Sequence, residues 1–74
     1  MNKTAIGNNI RNLMQKNNMD SIDLANRLYP TPYATIVKWI SGARQPTAYG
    51  LYRIAKVFGV SMEDLMEGIE EIDT

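Results

Sequence analysis

The chain contains no cysteine and no histidine. Their absence removes disulfides, thiolate nucleophiles, imidazole bases and the commonest metal ligands together. Without them a nucleophile and its base are hard to assemble, so an enzyme is the least favoured class and no metal or cofactor is expected. Long apolar runs are missing too. None approaches the roughly 18 residues of a membrane span, and the first residues hold no apolar signal core. The expectation is a soluble, unprocessed, cytoplasmic protein with no membrane partner and no evident small-molecule ligand. Its 74 residues make one domain, near the size at which a chain buries only about 60% of its unfolded surface. A deep catalytic cleft is not expected at that size.

Net charge is also lacking, with eight basic and eight acidic side chains, but the average hides two regions. Residues 1–59 hold all eight basic groups (Lys3, Arg11, Lys16, Arg27, Lys38, Arg44, Arg53, Lys56) against Asp20 and Asp23 alone, a net of +6. Residues 60–74 hold Glu63, Asp64, Glu67, Glu70, Glu71 and Asp73 and nothing positive, a net of −6. A basic body with an acidic terminus is the better description, and such a body suits a polyanionic partner.

What is present is helical periodicity. Residues 4–17 place Ile6, Ile10, Leu13 and Met14 on one face, with Thr4 available as a cap. Asn18 tolerates the left-handed conformation that ends a helix, and Met19 is placed to pack back over the last turn. Asp20 starts a second helix, with Asp23 three residues on to complete a capping box and Leu24, Ala25 and Leu28 as its inner stripe. Pro30 should stop that helix near Leu28 or Tyr29. In residues 31–42, Thr31 reads as the next N-cap and Pro32 as the first helical position. There Ile36, Trp39 and Ile40 share a core-facing side, while Tyr33, Ala34, Val37, Lys38 and Ser41 fall on other faces. Gly42 suits the left-handed turn that closes the helix.

After a loop over residues 43–46, Thr47 caps a fourth helix with Leu51, Ile54, Ala55 and Phe58 inward, ended by Gly59. Ser61 caps a fifth with Asp64 as its partner, with Leu65 and Met66 inward and Gly68 as its stop. The expected fold is all-α, five short helices around one core over residues 1–68, with an acidic tail over residues 69–74. Between Leu28 and Thr31 there is room only for a tight connection, as in a helix-turn-helix. The outer face of the third helix is small and mixed, about the size that a DNA major groove admits.

The order of motifs resembles the Cro and phage-repressor (XRE) family of helix-turn-helix proteins, with the lambda-repressor-like fold. The resemblance is carried by Leu24-Ala25 with Leu28, by Ile36 and Trp39, by Gly42-Ala43-Arg44-Gln45-Pro46, by Leu51, and by residues 54–66 (IAKVFGVSMEDLM). It covers about residues 6–66. Three departures matter. From Leu28 to Ile36 there is one residue more than the family's usual spacing, with Tyr29-Pro30-Thr31-Pro32 replacing a Gly-Val-Ser turn; a helix starting at Pro32 would absorb it. A buried Arg and Glu that relatives often carry are Met14 and Ile40 here, a joint exchange that predicts contact between them. The family's Lys after the glycine is Ala43, and its Gln at the start of the second helix is Ser21.

By this resemblance the chain is expected to be a sequence-specific transcriptional regulator, a repressor that binds an inverted-repeat operator in double-stranded DNA as a homodimer. Tyr33, Ala34 and Lys38 are the base-contacting candidates, with Thr35 and Val37 at the edge of that face. Ser21, Ser41, Arg44, Gln45 and Thr47 are the phosphate-contacting candidates. Met62, Met66, Ile69 and Ile72 are candidates for the dimer interface. Trp39, in phase with Ile36 and Ile40, reads as core rather than as a base-stacking platform. Two other functions stay open: an antitoxin-like autorepressor whose acidic tail engages a protein partner, and a helical interaction module that has lost DNA binding.

Overall fold

The computed structural model describes residues 4–68, which form α1 (Ala5–Lys16), α2 (Ser21–Arg27), α3 (Tyr33–Ser41), α4 (Ala48–Phe58) and α5 (Met62–Leu65). Local chemistry accounts for most of these bounds. The Asp20 carboxylate accepts from the Asp23 amide and the Asp23 carboxylate from the Asp20 amide, a reciprocal box at the start of α2. Ser61 and Asp64 repeat it at α5, and the Thr47 hydroxyl accepts from the Gly50 amide at the start of α4. Three helices end on residues with positive φ. Asn18 (φ 54°) follows α1, where the Met19 amide donates back to Met14 at 2.9 Å, and Gly42 and Gly59 close α3 and α4.

Each helix contributes a nearly solvent-free side chain to a single core. Ile10, Leu24, Ile36, Ile54 and Leu65 come from α1 to α5 in turn, and Leu28 joins them from the end of α2. Burying each of these is worth about 1.5–3 kcal/mol. Among the described residues no polar or charged side chain is buried. Met14 lies inside this cluster and Ile40 packs against it, so the positions expected to replace an ion pair join one apolar body. Trp39, 8% exposed, is core as expected. Its indole edge lies 3.1 Å from where a Cβ on Gly50 would stand, so a residue without a side chain lets α4 come down on α3. No helix among the described residues is long and apolar enough to cross a membrane.

Three local expectations are corrected. α3 starts at Tyr33, with Pro32 as its N-cap at φ −65° and ψ 147°, rather than at Pro32 behind a Thr31 cap. The Thr31 hydroxyl accepts a hydrogen bond from Arg53 instead. The extra residue is thus absorbed by the connection, where the Thr31 amide donates to the Leu28 carbonyl at 2.8 Å. Thr4 sits at the N-cap of α1 but makes no side-chain capping bond. Met66, expected inward, is 43% exposed, because α5 ends at Leu65 and Met66 begins the turn beyond it. The acidic tail over residues 69–74, with Ile69 and Ile72, lies outside the described residues.

Candidate nucleic-acid interface

The period of α3 sorts its nine residues into two sides. Ile36 and Trp39 point inward and hold the helix by burial, while Tyr33, Ala34, Val37, Lys38 and Ser41 are exposed, at the spacing that forms one continuous strip. Thr35 is half-buried at its margin. Tyr33 is 52% exposed and Val37 39%, so neither is taken up by the core. The Lys38 side chain is exposed, and no bond or ion pair from it to another described residue is present. Of the base-contacting candidates, Tyr33, Ala34, Val37 and Lys38 therefore lie together and open, with Thr35 half-buried beside them.

The segment after α3 is folded back against that strip. The Lys38 carbonyl accepts from the Arg44 amide and from the Ser41 hydroxyl, each at 3.2 Å, and Ser41 in turn accepts from the Ala43 amide at 3.3 Å. Arg44, Gln45 and Thr47 are exposed, while Pro46 between them is buried and fixes the path of the loop. Thr47 Oγ1 accepts from the Gly50 amide at 3.1 Å, which leaves its O–H proton for an outside acceptor. The first turn of α4 presents the unpaired amides and the positive dipole end that suit an anion. Of the five phosphate candidates, Ser41 and Arg44 are thus brought to the end of the strip, and Gln45 and Thr47 follow, exposed, on the path into α4.

Ser21 is set apart from them. It is half-buried at the first position of α2, where Asp20 and Asp23 already accept from the terminal amides. A phosphate approaching there meets two carboxylates, which makes Ser21 the least favourable of the five. Of the dimer candidates, Met62 packs against the core and Met66 is exposed.

Two features of this surface escaped the sequence. Ile22 on α2 is 61% exposed and, with Ala25, Asn26 and Tyr33, lines a shallow apolar recess beside the strip. A lone apolar residue two positions before Leu24 carries no signal of its exposure. Arg53, one of the eight basic groups of the body, is engaged: Nη1 donates to Thr31 Oγ1 at 2.9 Å and Nη2 to the Tyr29 carbonyl at 2.8 Å. No local pattern predicts a bond across 22 or 24 positions.

With this geometry in view, the chain can be compared with known proteins. The family model described as helix-turn-helix matches residues 10–65, from the middle of α1 to the end of α5. No curated protein and no solved structure matches.

Proposed function

Because the chain belongs to the Cro and repressor type of helix-turn-helix family and is a DNA-binding transcriptional regulator, we propose that it is a sequence-specific repressor that reads the major groove with α3. The observation that carries this reading is the exposed strip Tyr33, Ala34, Val37, Lys38 on a helix pinned from behind by Ile36 and Trp39. Lys38 donates to guanine O6 and N7, Ala34 meets a thymine methyl, and Tyr33 contacts a base edge or a phosphate. Thr35 and Val37 border the contact. Ser41, Arg44, Gln45 and Thr47 hold the adjacent phosphates, Arg44 by charge and Thr47 together with the amides at the start of α4. Ser21 contributes least, for the electrostatic reason given above.

One such domain covers half a site, so the protein acts as a two-fold dimer on half-sites about 34 Å apart. Met62 and Met66 are the described residues proposed for the partner surface, with Ile69 and Ile72 beyond them. Bound across a promoter, the dimer would exclude polymerase and so repress. Deleting residues 69–74 should weaken self-association, measured by sedimentation; unchanged association would remove the tail from the partner surface.

Selection of bound duplexes from a random DNA pool tests the whole reading. The expected product is an inverted repeat. Repeating the selection with Lys38→Ala should relax one base position per half-site, at a cost of about 1–3 kcal/mol there. Recovery of no preferred sequence at about 50 mM salt, where backbone attraction is strong, would refute sequence-specific binding.

A further inference from the structure

The connection that launches α3 is poorly equipped to hold itself. Of Tyr29, Pro30, Thr31 and Pro32, the two prolines have no N–H to donate, and the Thr31 amide bonds only back to Leu28. Arg53, in the second turn of α4, supplies what is missing. Its two terminal nitrogens reach the Tyr29 carbonyl and the Thr31 hydroxyl, one on each side of Pro30, and its Cζ lies 5.9 Å from the centroid of the Tyr49 ring, which steadies the planar group. The other end of α3 is held by α4 as well, through Trp39 seated on Gly50. α4 therefore holds the turn that precedes the reading helix through Arg53 and the last turn of that helix through Trp39, while α1 and α2 pack along its length, and Thr47 caps the start of α4.

We propose that Arg53 is a positioning residue for sequence discrimination: by clamping the Tyr29–Thr31 turn to α4 it sets α3 in register with the phosphate-facing start of α4, without touching DNA itself. The inference rests on the DNA-reading role of α3 proposed above. A guanidinium can do this because its N–H groups form a rigid planar fork that meets two acceptors at once. An ammonium at the same place keeps the charge but not the fork. Misplacing α3 by a fraction of an ångström affects bidentate base contacts, which demand alignment, far more than attraction to phosphates, which does not.

The test compares wild type with Arg53→Lys, Arg53→Met and Thr31→Val. Binding is measured to the duplex that wild type selects from the random pool and to an unrelated duplex, over a range of salt. Hydrogen exchange of the Thr35 and Ile36 amides, both bonded to the Pro32 carbonyl, is followed without DNA and referred to the core amide of Ile54. Arg53→Lys and Thr31→Val should each lower the ratio of selected to unrelated affinity by about ten-fold. Affinity for the unrelated duplex and the salt slope should stay as in wild type, and exchange at Thr35 and Ile36 should quicken while Ile54 does not. A wild-type ratio in both variants overturns the proposal. So does an equal loss on both duplexes in Arg53→Met with a salt slope smaller by about one, the mark of a phosphate contact. If wild type itself selects nothing, the DNA-reading role of α3 fails, and the exchange experiment still decides the clamp: unchanged exchange in Arg53→Lys and Thr31→Val overturns it.

Discussion

Gly7 shows how much one hydrogen can decide. A Cβ there would press on the carbonyl oxygen of Ile40 and stand 2.8 Å from the Ile40 carbonyl carbon and 2.9 Å from the Trp39 oxygen. All three are backbone atoms that cannot rotate away, so α1 could meet the end of α3 only by moving as a whole. Alanine in place of glycine gains about 1 kcal/mol in helix propensity, but overpacking a well-filled interface costs about 1–3 kcal/mol, and rigid backbone neighbours put this site at the upper end. Gly7→Ala should therefore destabilise by about 1–2 kcal/mol net, a fall in Tm of several degrees for a domain this small. Equal or greater thermal stability in the variant would mean that α1 and α3 do not lie this close. Nothing local marks Gly7 in the sequence, since a glycine inside a helical pattern reads only as a weak helix former.

At the scale of elements, α5 is the informative one. Four residues cannot persist as a free helix, because nucleation costs more than one turn returns. It stands because the Ser61–Asp64 box closes its start, Leu65 is fully buried, and Asn9 of α1 donates to the Leu65 and Glu67 carbonyls at 2.7 and 2.8 Å. Asn9→Ala should cost about 1–2 kcal/mol in chemical denaturation. Asn9→Asp should cost more, since a carboxylate would face the same two carbonyls with no proton to offer. If Asp proves the milder change, Asn9 is not the anchor of α5. The start of α2 carries a separate prediction. Asn caps a helix about as well as Asp, so Asp20→Asn should leave stability within about 0.5 kcal/mol. If Ser21 lies near a phosphate, the lost charge should raise DNA affinity several-fold at low salt. Unchanged affinity would take Ser21 out of the interface.

For the whole molecule, the +6 of the body counts more cations than can meet phosphates directly. Arg53 is committed to the Tyr29–Thr31 turn, and Lys56 lies 5.7 Å from the centroid of the Tyr52 ring. The cations bordering the proposed interface are Lys38 and Arg44. With about 0.9 counterions released per neutralised phosphate, Arg44 assigned to a phosphate and Lys38 to a base beside one, the logarithm of affinity should fall against the logarithm of salt with a slope of about −1 to −2 per protomer. A slope near −5 in fluorescence titrations would mean that cations elsewhere on the body reach the backbone, and that a larger surface than α3 and the start of α4 is used.

Much of this protein is legible along the chain because helix starts and stops are short-range chemistry. Asp20 with Asp23, Ser61 with Asp64, Thr47 with Gly50, and the left-handed Asn18, Gly42 and Gly59 all act within about one turn, so a linear reading suffices to find them. The inward set Ile10, Leu24, Ile36, Ile54 and Leu65 follows from the 3.6-residue period, as does the outward strip on α3. The tertiary structure alone decided where α3 begins, because the Thr31 hydroxyl goes to Arg53 in α4 rather than to the helix it precedes. It alone turned Met66 outward, by ending α5 where Asn9 holds its last carbonyls, and it alone gave Gly7 and Arg53 their roles. Each of those outcomes depends on a partner 22 or more positions away, and which distant groups meet is determined only when the helices have packed.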